Sequence, residues 1–287
     1  MSLIEKFEIT NIKQGEQKPD ENKIYQELVE KKLPEKPKME NFYEVYPQKE
    51  ISRDIARVER IEDQFEVSST RKSKILEALL LRQIELAEWF GNQCQTIETT
   101  KYDDYVNHTD FIAEWEDENG DPVRLAIDVT SSEENLDYGI KAENILRDLN
   151  NYQGTKIKYF ISEQFGYKGA VKDIPRVIIA IRKEVIDKLY ALIMPTIDGT
   201  KGEKRLEGHN KLCKCFLQAS IVEEMIKQLD KQSEHLEKHD GKNTLIYQNI
   251  QKAIKILETV FDKKIGSVED GPSSRALKVA EISAFFS

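Results

Sequence analysis

The chain has 287 residues, 39% of them hydrophobic and 33% charged, with a formal net charge of −9. That length allows one large or two smaller domains with a sizeable core, and the negative balance argues against a protein that coats nucleic acid. No apolar run approaches the length that crosses a bilayer, and the opening MSLIEKFEIT is charged early, unlike a secretory signal, so a cytoplasmic, non-membrane protein is expected.

Residues 1–46 are polar and rich in Lys, Glu and Pro. KKLPEKPKMENFYEVYP has no periodicity and is expected as a linker or an extended arm. A short helix is expected over 21–32 and a second over 48–64, with Ile51, Ile55, Val58 and Ile61 along one side. Ser68-Ser69-Thr70 offers caps for a strong helix over 71–91. Its apolar positions, Ile75, Leu76, Leu79, Leu80, Leu86, Ala87 and Phe90, cover so wide an arc that the helix must be largely buried.

Two strands follow, 109–115 and 123–130, flanking ENGD as a hairpin loop. Next come a helix over 137–151, strands over 156–162 and 176–181, and a helix over 183–193. This order makes a mixed α/β layer. After the hydrophilic break DGTKG, two amphipathic helices over 206–239 and 243–263, joined at HDGKN, form an αα-hairpin. It packs on the core or on a second copy of the chain. This helical part is slightly basic, whereas the rest is acidic. Residues 265–274 are a loop, and a short apolar tail ends the chain. The three cysteines, Cys94, Cys213 and Cys215, include no CxxC pair and are expected as reduced, buried small residues.

The register of the hairpin carries the chemistry. A loop centred on Asn119 sets Phe111 opposite Ile127, Ala113 opposite Leu125 and Trp115 opposite Val123, which gives one wholly apolar face. The other face pairs Ile112 with Ala126, Glu114 with Arg124 and Asp110 with Asp128. Directly opposed side chains have Cβ atoms roughly 5 Å apart. Two carboxylates that close repel and raise one pKa. A hard cation such as Mg²⁺ removes that cost and favours one or two carboxylates plus water and phosphate oxygens. Two solvated aspartates on an exposed sheet face are the competing interpretation. Asp128 inside LAIDVT speaks against solvation, because burying it between Ile127 and Val129 is expensive without a partner.

A helix, then a hairpin with Asp110 opening its first strand and Asp128-Val129-Thr130 closing its second, resembles the PD-(D/E)XK, or restriction-endonuclease-like, nuclease superfamily. The resemblance spans about residues 70–195. It implies an α/β fold with a restriction-endonuclease-like mixed sheet flanked by helices. It divides the chain into an N-terminal arm at 1–67, a nuclease core at 68–197, and a C-terminal helical hairpin and tail at 203–287. It implies a Mg²⁺- or Mn²⁺-dependent nuclease hydrolysing phosphodiesters, in DNA rather than RNA, with Asp110 and Asp128 as metal ligands.

Thr109 precedes Asp110 where the family often has proline, and Thr130 stands where its lysine belongs. Some members carry the lysine on the following helix, which makes Lys141 the substitute, unless Lys141 is an ordinary exposed helix lysine. Lys158 is a weaker candidate. A glutamate from the preceding helix often assists the metal, and Glu85 takes that place, with Glu88 as the alternative. Asp103 and Asp104 line the approach or cap a turn, and His108 stands near the pair or simply occupies a loop. The missing lysine and the acidic charge also suit a catalytically inactive member serving as a nucleic-acid-binding or scaffold module. The arm and the helical hairpin would hold substrate or a second subunit, the latter as a homodimer through the C-terminal helices.

Two weaker patterns are set aside. Asp117-x-Asn119-x-Asp121 mimics an EF-hand start, but Pro122 stands where glycine is required. His235 and His239 share a helix face, yet two ligands make no zinc site.

Overall fold

A computed structural model of the chain describes residues 20–31, 36–64, 71–131, 135–197, 202–268 and 279–286. The first part of the arm, the Ser68-Ser69-Thr70 cap, most of the DGTKG break and much of the 265–274 loop lie outside these residues. Helix α1 (Glu21–Tyr25) starts at Asp20, whose carboxylate accepts the N–H groups of Asn22 and Lys23, and it widens into a π turn over Gln26–Glu30. Helix α2 spans Gln48–Gln64, as its periodicity predicts. Helix α3 (Arg71–Ala87) buries Ile75, Leu76, Ala78, Leu79, Leu80, Leu81 and Ile84. It stops short of 91 because Glu88 adopts φ 52°, which turns the chain and drops Trp89 and Phe90 into the core.

The next two elements carry no periodic signal and were not expected: strand β1 (Gln95–Glu98) and helix α4 (Lys101–Asn107). Strands β2 (Phe111–Glu116) and β3 (Pro122–Thr130) then pair in the expected register, Phe111 with Ile127 through Trp115 with Val123. Helix α5 (Asn135–Leu149) follows, then strands β4 (Thr155–Ser162), β5 (Tyr167–Ile174) and β6 (Arg176–Ala180). The main sheet has the order β1-β2-β3-β6, antiparallel except for the parallel β3–β6 pair, while β4 and β5 form a separate two-stranded sheet. Strand β5 was not expected either. Its exposed, lysine- and glycine-containing sequence hides it. The architecture is therefore α/β, with a four-stranded mixed sheet flanked by helices.

The β4–β5 sheet corrects one expectation. The second face of the β2–β3 hairpin is not solvated: Ile157, Phe160 and Ile174 pack on Ile112 and Ala126. Glu114, fully buried, pairs with Arg124 at 2.6 Å and accepts the Ser162 hydroxyl at 2.5 Å. Arg124 in turn lies 4.9 Å from the centre of the Phe160 ring. The predicted cross-strand charge pair exists, inside the core rather than on the surface.

Helices α6 (Lys183–Ile197), α7 (Glu203–Cys213), α8 (Leu217–Lys238) and α9 (Leu245–Ile265) complete the fold. The single helix expected over 206–239 is broken at Lys214–Phe216. Leu212, Cys215 and Leu217 are all buried, and residues two apart on one straight helix cannot both face the same core. The apolar stripes of α8 and α9, including Val222, Met225, Leu229, Ile250 and Leu257, belong to the same core as the sheet. These stripes are therefore packed within the chain. No helix among the described residues is long and apolar enough to cross a membrane.

The open edge of β6 is closed by side chains. Gln228 of α8 accepts the Ile178 N–H and donates to the Ile178 carbonyl, both at 2.9 Å. Gln232 donates to the Arg176 carbonyl at 2.8 Å, and the tail's Ala280 N–H reaches the Ala180 carbonyl at 2.8 Å. The primary amide thus replaces a missing strand residue and blunts an edge that would otherwise pair with another chain. Gln228→Leu strands two buried backbone groups. It is expected to cost about 2–4 kcal/mol, seen in urea unfolding as a lower midpoint at unchanged slope; an unchanged midpoint would show that the amide cap is dispensable.

Candidate functional site

Asp110 and Asp128 lie at the end of the hairpin remote from its turn. Strand β2 begins one residue after Asp110, so the two aspartates are not ladder partners as expected. His108, in the left-handed region at φ 53°, ends α4 and directs the chain sideways. Asp110 then enters the sheet obliquely. Its N–H donates to the Ile127 carbonyl at 2.9 Å, and its carboxylate Oδ2 accepts the Val129 N–H at 2.6 Å. Thr99 steadies the turn by donating to the carbonyls of Thr109 and Asp110.

Asp128 is 6% exposed. Its Oδ1 meets the Lys141 ammonium of α5 at 2.5 Å. Burial works against the Lys141 charge, but Asp128 outweighs it, and the ammonium titrates above its ordinary range. Lys141 is thus no ordinary exposed lysine. Buried Arg176 sits nearby, 3.6 Å from Asp148 and donating to the Asn107 carbonyl.

A second group joins from α3 and the arm. Lys36 lies 3.0 Å from Glu77 and 2.9 Å from Asp104. Burial opposes its charge, yet Asp104, Glu77 and Asp110 together raise its pKa. Asp110 links the two groups: burial, then the charges of Asp104, Glu77 and Asp128, push its carboxyl well above the usual range, with Lys36 acting in the opposite sense. Neither Glu77 nor Lys36 was identified from sequence. Glu77 was detectable, because it interrupts an apolar run as Asp128 does. Lys36 sits in a proline-rich stretch with no pattern to mark it.

Glu85 does not join this site. It lies two turns beyond Glu77, on the edge-strand side, where it accepts the Thr96 N–H at 3.1 Å and the Thr96 hydroxyl at 2.5 Å. Eight residues of helix span about 12 Å, too far for both glutamates to serve one cluster. Glu88 is exposed past the helix end. Lys158 points into a cage of Tyr46, Tyr102 and Tyr159, pairing with Glu50 at 2.5 Å and with Asp54. Asp103 is structural: fully buried, it accepts the N–H groups of Lys158 at 2.7 Å and Tyr159 at 2.9 Å and joins α4 to β4. His108 is exposed beside the pair. Asp117 makes a turn, accepting the N–H groups of Asn119 and Asp121. His235 bonds Asn150, with the His239 ring 4.7 Å away.

The donor chemistry suits a hard divalent cation. One oxygen each of Asp110 and Asp128 is engaged, leaving Asp110 Oδ1 and Asp128 Oδ2 without a hydrogen bond from a described residue. Among the described residues no three His, Cys, Asp or Glu side chains are grouped to hold a metal alone. These residues could offer a cation only those two carboxylate oxygens, with water completing its shell.

Glu98, at the end of β1, is a further perturbed acid. Burial raises its pKa to about 7, and its Oε2 has no hydrogen-bond partner. The unfolded carboxyl titrates near 4.5, so the folded state favours the proton. That contribution to stability is full below 4.5 and is lost as pH rises through about 7. Glu98→Gln is accordingly expected to leave the melting temperature nearly unchanged at pH 4.5 and to raise it at pH 8; an equal gain at both pH values would contradict the assignment. Compared with protein-family models, curated proteins and solved structures, the chain matches none.

Proposed function

We propose that the protein is a Mg²⁺- or Mn²⁺-dependent phosphodiesterase of the restriction-endonuclease-like kind, acting on DNA in preference to RNA. The observation that carries this reading is the convergence of Asp110, Asp128 and Lys141 at the open end of the β2–β3 hairpin, with Lys141 2.5 Å from Asp128. Asp110 and Asp128 would hold the cation. Glu77, not Glu85, stands on the side of α3 that faces them electrostatically.

A bound divalent ion supplies positive charge where negative charge builds on the phosphate. The chain's own groups do the rest. The Val129 N–H fixes the Asp110 carboxylate, so its remaining oxygen is held toward the site. Lys141, from the helix after β3, replaces the lysine missing at Thr130. Its ammonium orients the attacking water or a phosphate oxygen by charge and hydrogen bonding.

Purified protein incubated with plasmid, linear duplex and single-stranded DNA plus Mg²⁺ or Mn²⁺ should cleave at least one of them. Asp128→Ala should fall to background. Equal cleavage by the variant, or none by either protein, would overturn the enzymatic reading.

A second reading is favoured by Thr130 and by Lys36, whose ammonium already neutralises Glu77 and Asp104. It is a catalytically inactive module of the same fold that binds nucleic acid. Lys36 also makes a quantitative prediction. A cation at Asp110 is repelled by the Lys36 charge, so Lys36→Met should tighten Mn²⁺ binding about tenfold, or about 1.4 kcal/mol, in calorimetric titration. A flat titration of both folded proteins removes the metal site altogether, while equal affinities remove only the role of Lys36.

A further inference from the structure

The deeply set cations of this protein are paired. Lys36, Lys141, Lys158, Arg124 and Arg176 each meet a carboxylate. Half-buried Arg82 of α3 does not, nor does the exposed Arg205 of α7. Neither makes a hydrogen bond or ion pair with a described residue, and Arg82 Nη1 is buried with no hydrogen-bond partner among them. Burial disfavours the Arg82 charge, and Arg205 is close enough to disfavour it further. A half-buried guanidinium with a second cation near it and no anion beside it among the described residues is costly. Such an arrangement is stable in company with a ligand that brings the negative charge.

A cavity of about 910 Å³ opens at that place, lined by Arg82, Arg205, Glu98, Thr96, Leu81 and Leu86 among others. Its volume is that of a small-molecule site. The carboxylates around it leave the arginines unclaimed. Glu85 turns to Thr96, Glu163 is exposed, and among the described residues Glu98 has no ion-pair partner and its buried Oε2 no hydrogen-bond partner. The cavity therefore presents an unmatched cationic pair, an unmatched buried acceptor and an apolar wall, with Leu86 57% exposed.

A carboxylate ligand is satisfied by one guanidinium fork. Two arginines lining one cavity suit a dianion with three peripheral oxygens. We propose that this cavity binds a small phosphate monoester. Its phosphate lies between Arg82 and Arg205, its body covers Leu81 and Leu86, and a hydroxyl or amino group of that body donates to Glu98. The site lies across β1 from the Asp110–Asp128 pair, and the proposal does not depend on the nuclease reading.

The test is calorimetric titration of the full chain with adenosine monophosphate, inorganic phosphate and adenosine. Adenosine monophosphate and phosphate are expected to bind saturably at one site, the nucleotide at least tenfold more tightly, and adenosine not to bind. Arg205 is exposed, so Arg205→Ala keeps the fold; it should weaken both phosphate-bearing probes tenfold or more. Arg82→Gln should do the same, and Glu98→Ala should weaken the nucleotide while leaving inorganic phosphate unchanged. If neither phosphate-bearing probe binds the folded wild type, or if both arginine variants bind as tightly as the wild type, the proposal is overturned.

Discussion

The rest of this structure hangs on the pairing of β2 with β3. From Phe111 opposite Ile127 to Trp115 opposite Val123, every alternate pair is apolar and buried. A slip of one residue would send these side chains to the wrong face and bring Glu114 and Arg124 under α3. The remaining pairs are buried too, beneath the β4–β5 sheet. With both faces covered, the hairpin is rigid, and the groups at its open end inherit that rigidity. Asp110 is held by the Val129 amide, and Asp128 emerges from the central strand with its backbone position set by β6 on the other side.

Polar groups inside this protein are handled by pairing. Glu114 is shared by Arg124 and Ser162, Lys158 by Asp54 and three aromatic rings, and Asp103 by two backbone amides. The edge of β6 is satisfied by two glutamines and the tail. Against this background the unmatched groups stand out physically. Asp110 carries more nearby negative than positive charge, and Arg82 carries more positive than negative. The two regions adjoin at β1, where Glu98 lines the cavity and feels the charges of Lys36 and Glu77.

The N-terminal arm gains a definite place from the same logic. Between α1 and α2 it carries a 3-10 turn over Met39–Phe42, Lys36 is anchored by Glu77 and Asp104, and Met39 and Phe42 pack with Tyr159 in a small second core beneath α2. The arm thus reaches the carboxylate cluster from within the chain. Lys36 supplies a tethered positive charge there.

By itself the sequence determined the helices with a long apolar arc, α2, α3, α5 and α9, and the register of the β2–β3 hairpin. These follow from periodicity, which is a local property. It also singled out Asp128, because a carboxylate in LAIDVT needs a partner, and Lys141, whose helix follows directly. Tertiary structure decided the rest. Strands β1 and β5 are short or polar and exist because a neighbour supplies their hydrogen bonds. The kink between α7 and α8 arises because Cys215 and Leu217 must both reach one core. Glu77 rather than Glu85 faces the carboxylates, since the angle at which α3 crosses the sheet is set by packing. Lys36, Arg82 and Arg205 are ordinary cations in sequence. How deeply each is set, and whether an acid lies beside it, appears only when segments far apart in the chain are brought together.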